Sequence, residues 1–146
     1  MPLADPALAI TDFIEVKDIF VASKKYSFLN NRMCTIEEIS KLPFLLLYKD
    51  SRTRQNLDSF FESLGINISS AIEFESMDLL VEFARIGAGI AHVLFESAQE
   101  YLKRSKLFQI AIKDPLPKRK LGIAVIKGGA VSAASERFIN VLVKNI

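Results

Sequence analysis

From Glu73 to Leu94 the chain reads as a strand, a helix opened by Ser76, a turn at Gly87-Ala88-Gly89 and a second strand, with almost no residues left over. That is one complete βαβ unit. Two parallel strands need a crossover between them, and here the helix supplies it. In such a unit the apolar periodicity builds the support. The polar residues that open the helix, and the backbone at the glycine turn, can be presented near a ligand crevice. Ser76 and the Gly87–Gly89 turn are therefore the first places to look for function.

The flanking segments extend the same alternation. Phe13 to Ala22 is rich in β-branched and aromatic residues and reads as a strand that pairs with a neighbouring sheet edge, followed by polar Ser23-Lys24-Lys25. Thr35-Ile36-Glu37-Glu38 is a capping box, which predicts a short helix ending near Leu42, before Pro43. Phe44 to Tyr48 is apolar without alternation, as expected of a strand covered on both faces in a parallel sheet. Asp50 and Ser51 are N-cap candidates for a helix carrying Leu57, Phe60, Phe61 and Leu64 on one face and stopped by Gly65.

Beyond the βαβ unit, Glu96 to Lys106 predicts a helix and Leu107 to Ile112 a strand. Asp114-Pro115-Leu116-Pro117 and the basic Lys118-Arg119-Lys120 break the pattern. A strand Leu121–Ile126, a turn at Gly128-Gly129 and a last helix with Ala134, Phe138, Val141 and Leu142 complete the chain. Alternating elements of this kind predict a twisted, mostly parallel sheet with helices on both faces. Ligands of such sheets sit beyond the carboxyl ends of the strands, which selects Ser51–Arg54, Ser76–Asp78 and His92–Phe95.

Composition narrows the function classes. The 146 residues are half apolar, enough for a folded core. The formal net charge of +2 comes from 19 basic residues scattered among 17 acids, so there is no basic stripe to neutralise a run of phosphates. One cysteine, Cys34, and one histidine, His92, cannot make an internal disulfide or a Cys/His zinc site. The expected setting is a reducing cytoplasm, with Cys34 as an inert thiol. Met1–Pro6 lacks the cationic start of a signal peptide, and no apolar run is long enough to span a bilayer. No metal or cofactor is expected, and no membrane partner.

Five short motifs, in order, carry a resemblance: Thr35 to Leu45, Ser51 to Arg54, Glu73 to Ser76, Gly87 to Ala91, and Ser132 to Phe138. Together they resemble LysR-type transcriptional regulators, specifically the effector-binding domain, from about Phe13 to the end. The resemblance implies an α/β fold like type 2 periplasmic-binding proteins, with two subdomains joined by crossover strands and a small effector clamped between them. By that analogy residues 24–118 form one complete subdomain with a mostly parallel sheet. Residues 13–23 and 121–127 are the crossovers, and 132–146 is the closing helix of a second, incomplete subdomain. Members of the family normally begin with a winged helix-turn-helix, a linker helix and the first half of the first subdomain. None of these precedes Met1, so the expectation is a fragment, with DNA reached only through a domain absent from this chain. Many relatives have a proline after the motif matching Gly89-Ile90-Ala91, where this chain has His92-Val93-Leu94-Phe95. A crevice wall of different shape is the consequence.

Each candidate site has a structural alternative. Ser51, Arg52, Thr53 and Arg54 can hold an anion, because a helix start offers free N–H groups and two guanidiniums can fork onto a carboxylate. They can equally be ordinary capping with exposed arginines. Ser76 and Met77 open the next helix, Ser76 as a crevice hydroxyl, as a backbone cap, or both. His92 and Leu94 end a strand near the crevice, and His92 can be a structural residue instead. Gly87 and Gly89 read as backbone geometry. Their order, after a helix and before a strand, is the reverse of a dinucleotide fingerprint. The sequence contains no Gly-x-Ser-x-Gly elbow, His-Glu-x-x-His or phosphate-binding loop, so an enzyme on this fold would rest on residue inventory alone. The expected function is sensing of a small polar or anionic effector, without catalysis, by a domain that dimerises. The alternatives are a pure self-association module and an enzyme on the same fold.

Overall fold

The computed structural model describes residues 5–144. Met1–Ala4, which enter the reading of the N-terminus, and the last two residues of the 132–146 span lie outside the described residues. In chain order the elements are β1 (Leu8–Val16), β2 (Asp18–Ala22), a 3₁₀ turn (Lys24–Leu29), β3 (Met33–Cys34), α1 (Ile36–Ile39), β4 (Phe44–Leu47) and α2 (Arg52–Ser63). Then follow β5 (Ser70–Phe74), α3 (Met77–Arg85), β6 (Ile90–Leu94), α4 (Phe95–Lys103), β7 (Phe108–Ile112), β8 (Arg119–Ile126) and α5 (Ala133–Lys144). The chain divides into two compact units. Lys17–Pro117 is the larger, and residues up to Val16 together with Lys118 onward make the smaller.

In the larger unit six strands form one sheet in the order β3-β7-β2-β6-β4-β5. Pairs β3–β7, β4–β5 and β4–β6 are parallel, and β2 runs antiparallel to both β6 and β7. Five strands therefore point one way and the interior strand β2 points the other. Helices cover both faces, as continuous apolarity demands. On one face Phe20, Phe44 and Leu46 pack with Ile36, Ile39, Leu57 and Phe61 from α1 and α2. On the other, Leu45, Ala91 and Val93 pack with Leu80, Val81, Ala84 and Ala98 from α3 and α4. Phe20, Phe44 and Phe61 meet edge to face at 5.8, 6.4 and 5.9 Å between ring centroids. Each such pair adds about 0.5–1.5 kcal/mol beyond its buried area.

The local signals work as their chemistry requires. Thr35 and Glu38 form the reciprocal capping box on α1. Gly87 ends α3 at φ +85°, its N–H bonding to Ala84 O while Ala88 N–H bonds to Phe83 O, a left-handed stop that glycine adopts without strain. Lys25 Nζ donates to Gly87 O at 3.0 Å and caps the same turn. Gly89 has a different reason: a Cβ there would lie 2.5 Å from Pro43 O.

Several element boundaries differ from the sequence reading: β1 begins at Leu8 rather than Phe13, and β8 at Arg119, inside the basic run read as a break. The run from Phe13 to Ala22 is two strands, broken at Lys17. The residues of β2 are all buried and the strand lies between β6 and β7, whereas most of β1 is exposed and pairs only with β8. The charged pair Lys17-Asp18 inside an apolar run marks that break. Helix α4 ends at Lys103 rather than Lys106, because Ser105 takes φ +53° and turns the chain into β7.

In the smaller unit β1 and β8 pair antiparallel from Leu8↔Ile126 to Val16↔Arg119, with an irregularity at Phe13. Lys120–Asp12 at 2.7 Å and Lys118–Glu15 at 3.2 Å bridge the two strands. Helix α5 is amphipathic and has no buried residue. Its Phe138 is 64% exposed.

Candidate functional site

Because β3, β4, β5, β6 and β7 all point one way, their carboxyl ends share one edge of the sheet, and α1, α2, α3 and α4 all begin there. Tyr48 N–H bonds to Phe74 O at 2.9 Å and ties the ends of β4 and β5 together. Ser51 follows Tyr48 by three residues and Ser76 follows Phe74 by two, so the two serine-capped helix starts are neighbours. Ser51 accepts from Arg54 N–H at 3.0 Å, and Ser76 from Leu79 N–H at 3.5 Å. Both side chains are half-buried, as is Met77. Helix starts carry partial positive charge and unpaired N–H groups, so this pair forms a rim suited to an oxyanion or a hydroxyl-rich ligand.

On the other side of β4 the rim continues with Leu94, where β6 passes straight into α4. No side chain caps α4; Phe95 N–H donates instead to Lys17 O at 2.9 Å, and Lys17 Nζ lies 5.8 Å from the Phe95 ring centre. Asp18, opposite Leu94 in the β2–β6 register, is buried at the same edge. In the sequence Lys17 and Asp18 read as ordinary strand residues. Their adjacency within an apolar run is the signal that was available.

His92 lies one step inside the rim. It pairs across the sheet with Phe20, its ring centre 5.4 Å from that of Phe20, and is 3% exposed. The structure thus brings Ser51, Ser76, Met77 and Leu94 to one edge and holds His92 in the layer behind them.

The arginines of the α2 start divide in role. Arg52 is exposed and donates to Gln55 Oε1 at 3.2 Å, and Thr53 is half-buried. Arg54 is buried and held by three partners within the protein. Its Nε donates to Asp58 at 2.8 Å, and one terminal nitrogen donates to both Leu47 O and Glu73 Oε1, each at 3.0 Å. Glu73 also accepts from the Ser70 hydroxyl at 2.7 Å. Burial pulls the Arg54 pKa down, yet the bonds it donates to Asp58 and Glu73 more than offset it and the guanidinium stays above its ordinary value. One side chain therefore joins α2 to the ends of β4 and β5 and fixes where Ser51 sits.

The same bonds give the fold an acid limit. Glu73 is held below the usual carboxylate pKa by the Ser70 hydroxyl and then Arg54, and Glu82 by the Tyr101 hydroxyl and then Arg85. A carboxylate with a depressed folded value stabilises above its unfolded pKa, about 4.3, and that contribution disappears as pH falls through the folded value. Thermal midpoints should therefore drop between about pH 5 and about pH 3. Glu73→Gln should melt lower at neutral pH and show a shallower acid slope; an unchanged slope would remove Glu73 from this account.

Comparison with known proteins places this geometry in context. The family described as LysR substrate binding domain matches residues 1–146. An uncharacterized HTH-type transcriptional regulator, YybE of Bacillus subtilis strain 168, is 32% identical over 104 residues, covering 71% of this chain and 35% of that protein. The chain thus spans about a third of the curated relative's length. Among solved structures, the CcmR regulatory domain of Synechocystis PCC6803 in complex with 2-PG superposes with a TM-score of 0.88 at 19% identity, covering 99% of this chain and 70% of that one. The effector binding domain of QuiR in complex with shikimate gives 0.83 at 16%, covering 99% and 68%. HinK, a LysR family transcriptional regulator from Pseudomonas aeruginosa, gives 0.80 at 14%, covering 99% and 50%. At these identities the likeness shows the fold, that of type 2 periplasmic-binding-protein-like effector domains.

Proposed function

We propose, from the premise that this chain belongs to the LysR substrate binding domain family, that it senses a small polar or anionic effector at the carboxyl edge of its larger sheet. The observation that carries this reading is the pair of adjacent serine-capped helix starts, at Ser51 and Ser76, tied together through Tyr48 and Phe74. N–H groups there favour an oxyanion or hydroxyls over a cation. Leu94 and Met77 supply apolar contact, Arg52 and Thr53 border the α2 start, and His92 supports the rim from behind. Arg54 acts as a positioning residue.

In the parent regulator the effector is held between two subdomains, as the family resemblance implies. Effector binding favours one closure and changes the placement of DNA-binding domains carried by other parts of the parent. The domain works by binding, without turnover. Structural neighbours in complex with 2-PG and with shikimate support a small-ligand class for the reading. We also propose self-pairing, because β5 is a sheet edge with Ile72 39% exposed, an invitation to a second copy. Sedimentation that does not change with concentration counts against it.

Titrating 2-PG and shikimate into the full chain, followed by backbone amide shifts, tests the site. The expected response is confined to the amides of Ser51–Arg54 and Ser76–Leu79. Ser51→Ala and Ser76→Ala each remove a ligand hydroxyl contact and should weaken binding by roughly 3- to 10-fold, about 1 kcal/mol. Shifts centred elsewhere, or alanine variants that bind as well as the parent, remove the rim as the site.

A further inference from the structure

At the opposite edge of the same sheet a groove of about 450 Å³ opens between the 3₁₀ turn after β2 and the turn that leads from α4 into β7. Strands of five residues separate the two edges, so the groove lies roughly 16 Å from the rim. Its lining includes Lys24, Asn30, Ser105, Lys106 and Gln109 around an apolar floor at Phe108, and no carboxylate. The volume falls within the range that small-molecule sites occupy.

The polar groups there are donors without assigned work. Neither the Lys24 nor the Lys106 ammonium has an ion-pair or hydrogen-bond partner among the described residues, and Glu100 already pairs with Lys103 and Arg104. Asn30 uses its side-chain oxygen to accept from Asn31 N–H, which leaves its NH₂ as the group on offer. Lys106 is not needed to cap α4 electrostatically. The last carbonyls of that helix already accept from the backbone N–H groups of Arg104, Ser105, Lys106 and Leu107. Ser105 holds φ +53°, a conformation that costs a non-glycine residue about 1–2 kcal/mol, where glycine would turn the chain without strain and would place no hydroxyl on the groove.

We propose that this groove is a second ligand site of the domain, taking a small carboxylate with a short apolar body. The lysines and amide donors meet the carboxylate, and the body lies over Phe108. A neutral or cationic ligand of the same shape gains nothing from two unpaired ammonium groups, so charge sets the selectivity. This site is independent of the rim, and binding here stands or falls apart from the effector reading.

The test titrates hexanoate, 1-hexanol and hexylamine separately into the full chain at low salt and follows backbone amide shifts. Hexanoate should move the amides of Lys24, Asn30 and Ser105–Gln109, with hexanol and hexylamine weaker by about tenfold or more. The double variant Lys24→Gln, Lys106→Gln should lose about tenfold in hexanoate affinity while keeping the parent's thermal midpoint, since both lysines are exposed. Silence of the groove amides at millimolar hexanoate, equal binding of hexanol, or full affinity in the double variant each overturns the proposal. A hexanoate response at Ser51 and Ser76 alone also overturns it, and credits the rim instead.

Discussion

Replacing Gly89 by alanine is expected to destabilise the domain by about 2–4 kcal/mol, a loss much larger than a glycine-to-alanine change ordinarily brings. Gly89 has no positive φ to protect. Its constraint is contact: the added Cβ would sit 2.5 Å from the carbonyl oxygen of Pro43 and 3.1 Å from the side chain of Leu45. That carbonyl is also the acceptor for Ile90 N–H at 2.8 Å, the bond that starts the β4–β6 pairing at the centre of the sheet. A backbone atom cannot swing aside as a lysine tip can, so the strands must separate, and the hydrogen bond weakens along with the packing. For a chain of this size the loss corresponds to a drop in melting temperature of roughly 4–16 °C. Gly65→Ala is the control. Gly65 has φ +68° with open space around it, so only the backbone penalty of about 1–2 kcal/mol applies. Equal losses in the two variants would remove the contact argument.

Gly89 also marks how far local rules reach in this sequence. The βαβ unit, the Thr35–Glu38 box and the glycine stops are readable because each depends on residues within a few positions of one another. The continuous apolarity of Phe44–Leu47 foretells burial on both faces for the same reason. That Gly89 is crowded by Pro43, however, follows only from the pairing of β4 with β6, strands separated by a helix, a strand and another helix. The antiparallel direction of β2 is equally silent, since an all-buried strand has the same composition whichever way it runs. The candidate site divides in the same manner. Capping by Ser51 and Ser76 is local and legible, whereas the burial of His92 against Phe20 is fixed by register across the sheet. The partners of Arg54 show the limit most sharply: Asp58 is one helical turn away and could be anticipated, but Glu73 is on another strand.

That divided network makes Arg54 the second position where a single change should be severe. Arg54→Met keeps most of the buried stem and removes the charge, so the expected loss of about 2–4 kcal/mol comes from the bonds rather than from a cavity. Leu47 O loses its side-chain donor, and Asp58 and Glu73 lose their shared cation. The figure sits toward the lower end of the range for breaking a buried ion pair, because Asp58 and Glu73 are 34% and 30% exposed and can turn partly to water. Arg54→Lys should recover only part of the loss, since one ammonium cannot reproduce a planar fork onto three acceptors. Crossing Arg54→Met with Glu73→Gln in a double-mutant cycle isolates the shared bond, and the two losses should be clearly non-additive. The acid slope gives a second readout: without the guanidinium the Glu73 carboxyl moves back toward its ordinary value, so Arg54→Met should lose less stability than the parent between about pH 5 and about pH 3. A methionine variant that melts with the parent and keeps its acid slope would leave the start of α2 held by Ser51 and apolar packing alone.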